Sequence, residues 1–370
     1  MIPVFKPKIE KEDIKEVSRV LSEGYVSGES SVVKEFEKNF SKSIQMNFGI
    51  AVSNGTTALE IAIQALKLEP GSEVILPTLA IISTVGAVIK SGAVPVFIDS
   101  DLRNWNMKAQ DIESKITKNT RVILVVHTYG LPVDMRIILD VAKKYNLIVI
   151  EDAAEAHGLF YNGRICGSMG DISTFSFYAN KAITCGEGGM ICTNSDEIAE
   201  RCKSLRNLCM NPDRRFYHSE LGSNARLSSM QAALGNSQLQ RLNKIIESKK
   251  EMAQLYRNYL QVLDDSGKIY LPLPKDKNST NSYWIFGMVN RNPSLSLKII
   301  QTKLMNRGIE TRPFFWPLHL QPALKNVKYD KSGLTTSEFL GKNGFYVPFY
   351  LDLENKEIEY ISNQIKEVLN

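Results

Sequence analysis

Cysteine is sparse in this 370-residue chain, and its arrangement offers no scaffold: Cys166, Cys185, Cys192, Cys202 and Cys209 are odd in number and show no CxxC spacing. This argues against a disulfide framework and against a cysteine-held zinc, and the thiols read as reduced and mostly structural. No apolar run approaches the roughly 20 residues that span a bilayer. The opening Met1-Ile2-Pro3-Val4-Phe5-Lys6-Pro7 carries two prolines and meets charges from Glu10 to Asp13, so it lacks the apolar core of a signal peptide. A cytoplasmic protein without a membrane partner is the expectation. Charge is nearly balanced at +5, with no dense Lys/Arg tract, which leaves no footprint for nucleic acid. Internal repeats and low-complexity tracts are missing too. No GxGxxG follows an early strand, and Gly186-Glu187-Gly188-Gly189 has the wrong spacing, which argues against a nicotinamide-dependent dehydrogenase.

What is present is an ordinary globular composition, 43% apolar and 23% charged, in a chain more than twice the length of a domain of about 150 residues. Short apolar runs alternate with helix-length segments: Val74 to Leu76, Val94 to Ile98, Val122 to Val126, Leu147 to Ile150, Ile172 to Phe177 and Met190 to Thr193. Continuously apolar strands of this kind belong to a mainly parallel sheet covered by helices on both faces, an α/β architecture. From Leu227 to Tyr259 the apolar spacing predicts one long amphipathic helix bridging two domains. Beyond it, a strand-like Tyr283 to Val289, a helix-like Leu295 to Met305 and a last helix carrying Ile358, Ile361, Ile365 and Leu369 read as a smaller α+β domain. The expected division is residues 1–240 and 241–370.

Three segments carry candidate chemistry. Ser53-Asn54-Gly55-Thr56-Thr57-Ala58-Leu59 puts small polar residues at the start of a helical pattern, which is either an ordinary cap or a cradle of N–H groups for a phosphate. Asp152 closely follows the strand Leu147 to Ile150, at the edge where α/β sheets bind ligands. Glu151, Asp152, Glu155 and His157 together could suggest a metal, but no second His or Cys cluster lies at ligand spacing, so no metal is expected. Lys181 sits beyond the strand Ile172 to Phe177 with a glycine-rich turn behind it. Desolvation there would favour a neutral amine able to form a Schiff base. A lysine, a carboxylate and a helix start make one site if the cofactor is pyridoxal phosphate.

Four ordered motifs strengthen that reading: SNGTTAL from Ser53, VIEDAAEAHG from Val149, GDISTFSFYANK ending at Lys181 with GEGGM from Gly186, and LGSNARLSSMQAALG from Leu221. With them the sequence resembles the DegT/DnrJ/StrS family of nucleotide-sugar aminotransferases over essentially its whole length. The resemblance implies a fold type I aminotransferase with a mixed, mainly parallel central sheet, using pyridoxal 5′-phosphate and passing through pyridoxamine 5′-phosphate. It implies that Lys181 forms the Schiff base and Asp152 partners the pyridine nitrogen. Gly55, Thr56, Thr57 and Ser176 would hold the phosphate, and Glu155 would lie near the ring. Asn224 would reach the cofactor of a neighbouring subunit, which implies a homodimer with shared active sites. His157, Tyr178, Arg312, Phe314 and His319 are the implied substrate contacts.

Within the family, the opening Ile2-Pro3-Val4 and the run Arg312 to His319 look most like members acting on GDP-4-keto-6-deoxymannose, with L-glutamate as amino donor. UDP- or dTDP-linked 4-keto sugars and 3-keto sugars remain open, and a regulatory, non-catalytic member is disfavoured because Lys181 and Asp152 are both intact. A 3-dehydratase of the family would carry histidine in place of Lys181. Two positions depart from the pattern. Pro77-Thr78-Leu79-Ala80-Ile81 offers aliphatics where an aromatic usually stacks on the ring, so Ile81 is expected to pack there. Ala225 replaces a common tyrosine.

Overall fold

The alternating apolar runs become a seven-stranded sheet. In this computed structural model, which describes residues 1–211, 213–277, 279–327, 329–330 and 332–370, helices α1 (Lys11–Ser22) and α2 (Ser31–Ser43) precede strand β1 (Phe48–Val52). Then come α3 (Gly55–Ala65), β2 (Glu73–Pro77), α4 (Ile82–Lys90), β3 (Val94–Ile98), β4 (Thr120–Val126), α5 (Met135–Tyr145) and β5 (Ile148–Asp152). A short ladder of β6 (Phe160–Tyr161) and β7 (Arg164–Ile165) leads to β8 (Ile172–Ser176), β9 (Gly189–Thr193) and α6 (Asp196–Arg206).

Strand order is β1-β9-β8-β5-β4-β2-β3, and β9 alone runs against the rest. The sheet is mixed and mainly parallel, as expected. Along β4, Ile123 and Val125 enter one core with Phe36, Phe40 and Phe175, while Val122 and Leu124 enter the other with Ile50, Leu59 and Leu76. Burial on both faces is why these strands read as unbroken apolar runs. It also leaves the carboxyl ends of β1, β4, β5 and β8 on one edge, where the reversed β9 begins.

The expected single helix from Leu227 to Tyr259 is two helices, α7 (Ser229–Leu239) and α8 (Leu242–Asp265). The break falls at Arg241, whose guanidinium bonds the buried Asp13 carboxylate at 2.9 Å and 2.5 Å. Apolar spacing alone could not register that turn, because α7 packs between α1 and α2 and is buried on several sides.

The rest forms a second sheet. Strand β10 (Ile269–Tyr270) is followed by the ladder β11 (Lys275–Asp276) and β12 (Ser279–Thr280), then β13 (Phe286–Asn290), α9 (Leu297–Met305), β14 (Arg312–Pro313), α10 (Thr335–Asn343), β15 (Gly344–Val347) and α11 (Asn355–Leu369). Its antiparallel order is β10-β13-β15-β14. Met252, Tyr256, Leu260 and Leu263 of α8 pack there with Ile358, Ile361 and Ile365 of α11. The first residues of the chain join the same region, since Ile2 bridges Ile309 and Val4 N–H donates to Glu310 at 2.9 Å. Among the described residues, no helix is long and apolar enough to cross a membrane, and no group of His, Cys, Asp and Glu could hold a metal ion.

Candidate active site

A cleft of about 630 Å³ opens over the carboxyl edge of the large sheet, and Gly55, Thr56, Thr57, Asp152, Glu155, Ser176, Tyr178 and Lys181 all lie on its wall. They arrive from α3, from the end of β5 and the residues after it, and from the end of β8 and the segment that follows. Asn54 caps α3 by accepting the Thr57 N–H at 2.8 Å, so the helix starts at Gly55 and leaves its first N–H groups without helical partners. A Cβ on Gly55 would stand 2.8 Å from Ser176 Cβ, so glycine is what lets the helix start approach that serine. The Thr56 hydroxyl shares a hydrogen bond with Ser83 Oγ at 2.6 Å.

Strand alternation separates the adjacent acids of β5. Glu151 faces away from the cleft and is fully buried. It accepts N–H bonds from Gly167 at 2.8 Å and from Met169 and Gly170 at 2.6 Å, and pairs with His127 Nε2 at 3.0 Å. Because His127 Nδ1 accepts the Val133 N–H, the neutral ring carries its proton on Nε2 and donates it to Glu151. Burial pushes the Glu151 carboxyl up, but these hydrogen bonds outweigh it and hold it below its ordinary value.

Asp152 faces the cleft, and among the described residues only the Ala154 N–H, at 3.1 Å, bonds its carboxylate. Burial lifts its pKa, against the pull of that N–H and of Lys181. A buried carboxylate so sparsely bonded is complementary to a cation.

Lys181 is lowered by burial, with Glu155 and Asp152 opposing. Its Nζ lies 3.8 Å from the centroid of the Trp284 ring. Glu155 is pushed up to about 8 by burial, and its Oε2 accepts the Tyr129 N–H at 2.7 Å. Tyr129, in the short turn after β4, holds a left-handed backbone (φ 57°) that is strained for a bulky residue. Its ring stacks near Trp284 and Phe315, and its hydroxyl accepts the Phe315 N–H at 2.8 Å. Gly130 follows at φ 93°, and a Cβ there would meet Trp284 N at 2.6 Å. This close approach docks residues 282–284 against the large sheet, and the Ser282 N–H donates to the Gly130 carbonyl at 2.8 Å.

Several residues expected at the site lie elsewhere. Phe314 is buried against Trp105 and Tyr129, while its neighbour Phe315 lines the cleft, because consecutive extended residues point to opposite sides. His319 is buried between the Thr78 hydroxyl, 2.7 Å from Nδ1, and Glu338, 3.1 Å from Nε2, where it ties the segment after β14 to the end of β2. Arg312 is exposed beside Glu310 and over Phe5. His157 packs among Phe40, Phe175 and Phe177, behind the cleft. Asn224 is exposed, bridged to Asn207, and off the cleft wall of its own chain. Ile81 does reach the wall and is 43% exposed.

Sequence reasoning missed Ser83, Tyr129, Trp284, Phe315 and Tyr346. Trp284 and Phe315 stood in segments already marked as strand-like or aromatic, but nothing local showed which side faced the cleft.

The residues fit pyridoxal phosphate. Thr174 Oγ1 and Asn180 Oδ1, buried atoms of cleft-lining residues, lack a hydrogen-bond partner among the described residues. The Gly55–Ser176 approach leaves an anion cradle, and the Asp152 carboxylate awaits a cation. An amine, an acid and an anion cradle along one strand edge are the parts of a pyridoxal-phosphate enzyme. The comparisons agree. Over residues 7–366 the chain matches, and belongs to, the DegT/DnrJ/EryC1/StrS aminotransferase family, whose aminotransferases depend on pyridoxal phosphate. Among its relatives are the GDP-perosamine synthases of Escherichia coli O157:H7, 37% identical over 99% of this chain and 98% of that one, and of Vibrio cholerae, 34% identical over the full length of both. The crystal structure of the aminotransferase TlmJ from Streptoalloteichus hindustanus superposes with a TM-score of 0.93 at 27% identity, covering 100% of this chain and 99% of that one. The chain is an aminotransferase that uses pyridoxal phosphate, and its relatives support a sugar substrate.

Proposed function

We propose that this enzyme converts a nucleotide-linked 4-keto-6-deoxyhexose, GDP-4-keto-6-deoxymannose in the first instance, to the 4-amino-4,6-dideoxy sugar for a surface glycan, taking the amino group from L-glutamate. The observation that carries the reaction class is Lys181, an amine whose charge burial disfavours, on a cleft wall shared with Asp152 and Glu155. The GDP-perosamine synthases, similar over their full length, support the substrate.

When bound, pyridoxal phosphate supplies an aldehyde and an electron-withdrawing ring that spreads the charge left by C–H cleavage. The first N–H groups of α3, with the hydroxyls of Thr56, Thr57 and Ser176, bind its phosphate. Asp152 holds a proton at the ring nitrogen. Lys181 Nζ, free once the amino donor is in place, accepts and returns the proton that moves during transfer. Trp284, Phe315 and Tyr346, from the C-terminal region, close the cleft and exclude water from that proton. Tyr178 stands at the substrate side. Exposed Asn224 would reach the cofactor of a second subunit, so this reading includes a homodimer, residues 1–240 as the cofactor-binding domain and 241–370 as the smaller one, and a cytoplasmic location.

The test incubates the enzyme and glutamate with GDP-, UDP- and dTDP-linked 4-keto- and 3-keto-6-deoxy sugars and identifies products by mass and NMR. A 4-amino product from the GDP sugar, with one keto acid released per sugar, is expected. Reaction of 3-keto sugars alone would overturn the substrate reading.

A further inference from the structure

Two helix starts meet on the cleft wall, and one hydrogen bond joins them. Helices α3 and α4 open at Gly55 and Ile82 and pack against each other; the second residue of each, Thr56 and Ser83, lines the cleft. Thr56 Oγ1 and Ser83 Oγ lie 2.6 Å apart, a good length for a bond between hydroxyls. The Asn54 side chain is committed to the Thr57 N–H, and Ile81, which precedes α4, makes no capping bond with its side chain. Both helices therefore turn the positive ends of their dipoles to the same wall. Counting protons narrows what the pair can do. Two hydroxyls hold two protons, and their mutual bond uses one. Among the described residues neither oxygen makes another hydrogen bond, so one proton is left to donate. Thr56 stands on the cradle helix itself, next to Gly55 where α3 approaches Ser176, whereas Ser83 is joined to that helix by hydrogen bond through Thr56 alone.

We propose that Ser83 is a positioning residue for the cofactor's phosphate: its hydroxyl donates to Thr56 Oγ1, so that the Thr56 proton is turned onto the anion. Direction decides the outcome. A Thr56 hydroxyl that gave its proton to Ser83 would present only lone pairs to a phosphate and repel it. One that accepts from Ser83 has its own proton free, and it is polarised to donate more strongly, as expected along a chain of hydrogen bonds. The anion cradle thereby extends from α3 and β8 to the first turn of α4.

The inference rests on the cofactor reading of the cleft, and its test separates the two. The full-length apoprotein is titrated with pyridoxal phosphate and with pyridoxal, which has the same aldehyde and ring but no phosphate, and binding is read by equilibrium dialysis. The parent should prefer pyridoxal phosphate. Ser83→Ala should cut that preference about fivefold, the worth of one hydrogen bond, and leave pyridoxal affinity unchanged. A purely structural serine would move both affinities together. Alanine suits a first helical turn, so the variant should fold, which thermal melts check. Ser83→Thr, which keeps the hydroxyl, should restore the preference. Thr56→Val should lose more than Ser83→Ala, and adding Ser83→Ala to it should change nothing further, because Ser83 acts through Thr56. An unchanged preference in Ser83→Ala beside a reduced one in Thr56→Val would overturn the proposal and leave the cradle standing. Losses that add in the double variant would overturn it as well, since Ser83 would then act without Thr56. A parent that binds both ligands equally would remove the phosphate cradle, and this inference with it. The sugar-panel result stands or falls separately.

Discussion

Lys181 Nζ lies 3.8 Å from the centroid of the Trp284 indole, whose N–H donates to the Asn180 carbonyl at 3.0 Å. The tryptophan therefore holds the backbone just before the lysine and also covers the amine. A cation over an indole face is worth about 0.5–2 kcal/mol, more when desolvated. Trp284 sits just ahead of β13 of the second sheet, so the environment of Lys181 is completed only when that sheet docks.

Replacing Trp284 should thus disturb the amine more than the fold. Trp284→Leu is expected to lower kcat/KM about tenfold, with Trp284→Phe intermediate because it keeps an aromatic face but loses the N–H bond to Asn180. Steady-state kinetics beside thermal melts check this. Equal activity in Trp284→Leu and the parent would remove the ring from the site's chemistry.

Lys181→Ala should abolish turnover together with the visible absorbance of the cofactor–lysine linkage, while leaving the melting temperature within a few degrees. Asp152→Asn should retain that linkage but lose at least a hundredfold in kcat, because a neutral amide cannot hold the ring nitrogen protonated. Turnover in Lys181→Ala under single-turnover conditions would contradict the assignment.

Gly55→Ala tests the cradle. The new Cβ would meet Ser176 Cβ at 2.8 Å, so the helix start and β8 must part. Cofactor affinity should fall tenfold or more, read by equilibrium dialysis, with a much smaller effect on thermal stability, since alanine suits a first helical turn. Undiminished affinity would show that the phosphate sits elsewhere.

Acid sensitivity should trace partly to Glu151. Its carboxyl is held below the ordinary value in the folded chain, so its contribution is present above the unfolded pKa of about 4.3 and is lost as pH falls through the folded value. Glu151→Gln should cost about 2–4 kcal/mol at pH 7, because it breaks a buried network around His127 and the Gly167–Gly170 loop. The cost should shrink toward pH 3. Denaturant melts from pH 3 to 8 would show this, and a pH-independent difference would mean the shift plays no part.

The alternation of apolar runs with helical segments was legible in the sequence, because a strand buried on both faces has little choice but to be apolar throughout. The residues proposed for the site stood out for a similar reason. Asp152 ends β5, Lys181 follows β8, and Gly55 to Thr57 open a helix, so each proposed role is tied to a local element boundary. The break at Arg241 was not, because it depends on an ion pair with Asp13 more than two hundred residues away.

What the sequence determined by itself is therefore the chemistry: an amine, an acid and an anion cradle in strand order, enough to reach the family. Tertiary structure decided what surrounds them. It sent Glu151 and Asp152 to opposite faces, turned Phe314 into the core and Phe315 into the cleft, tied His319 to Thr78, and brought Trp284 over Lys181 through the close approach at Gly130. These are long-range choices of side and neighbour, fixed by packing between elements far apart in the chain, and no local pattern of residues encodes them.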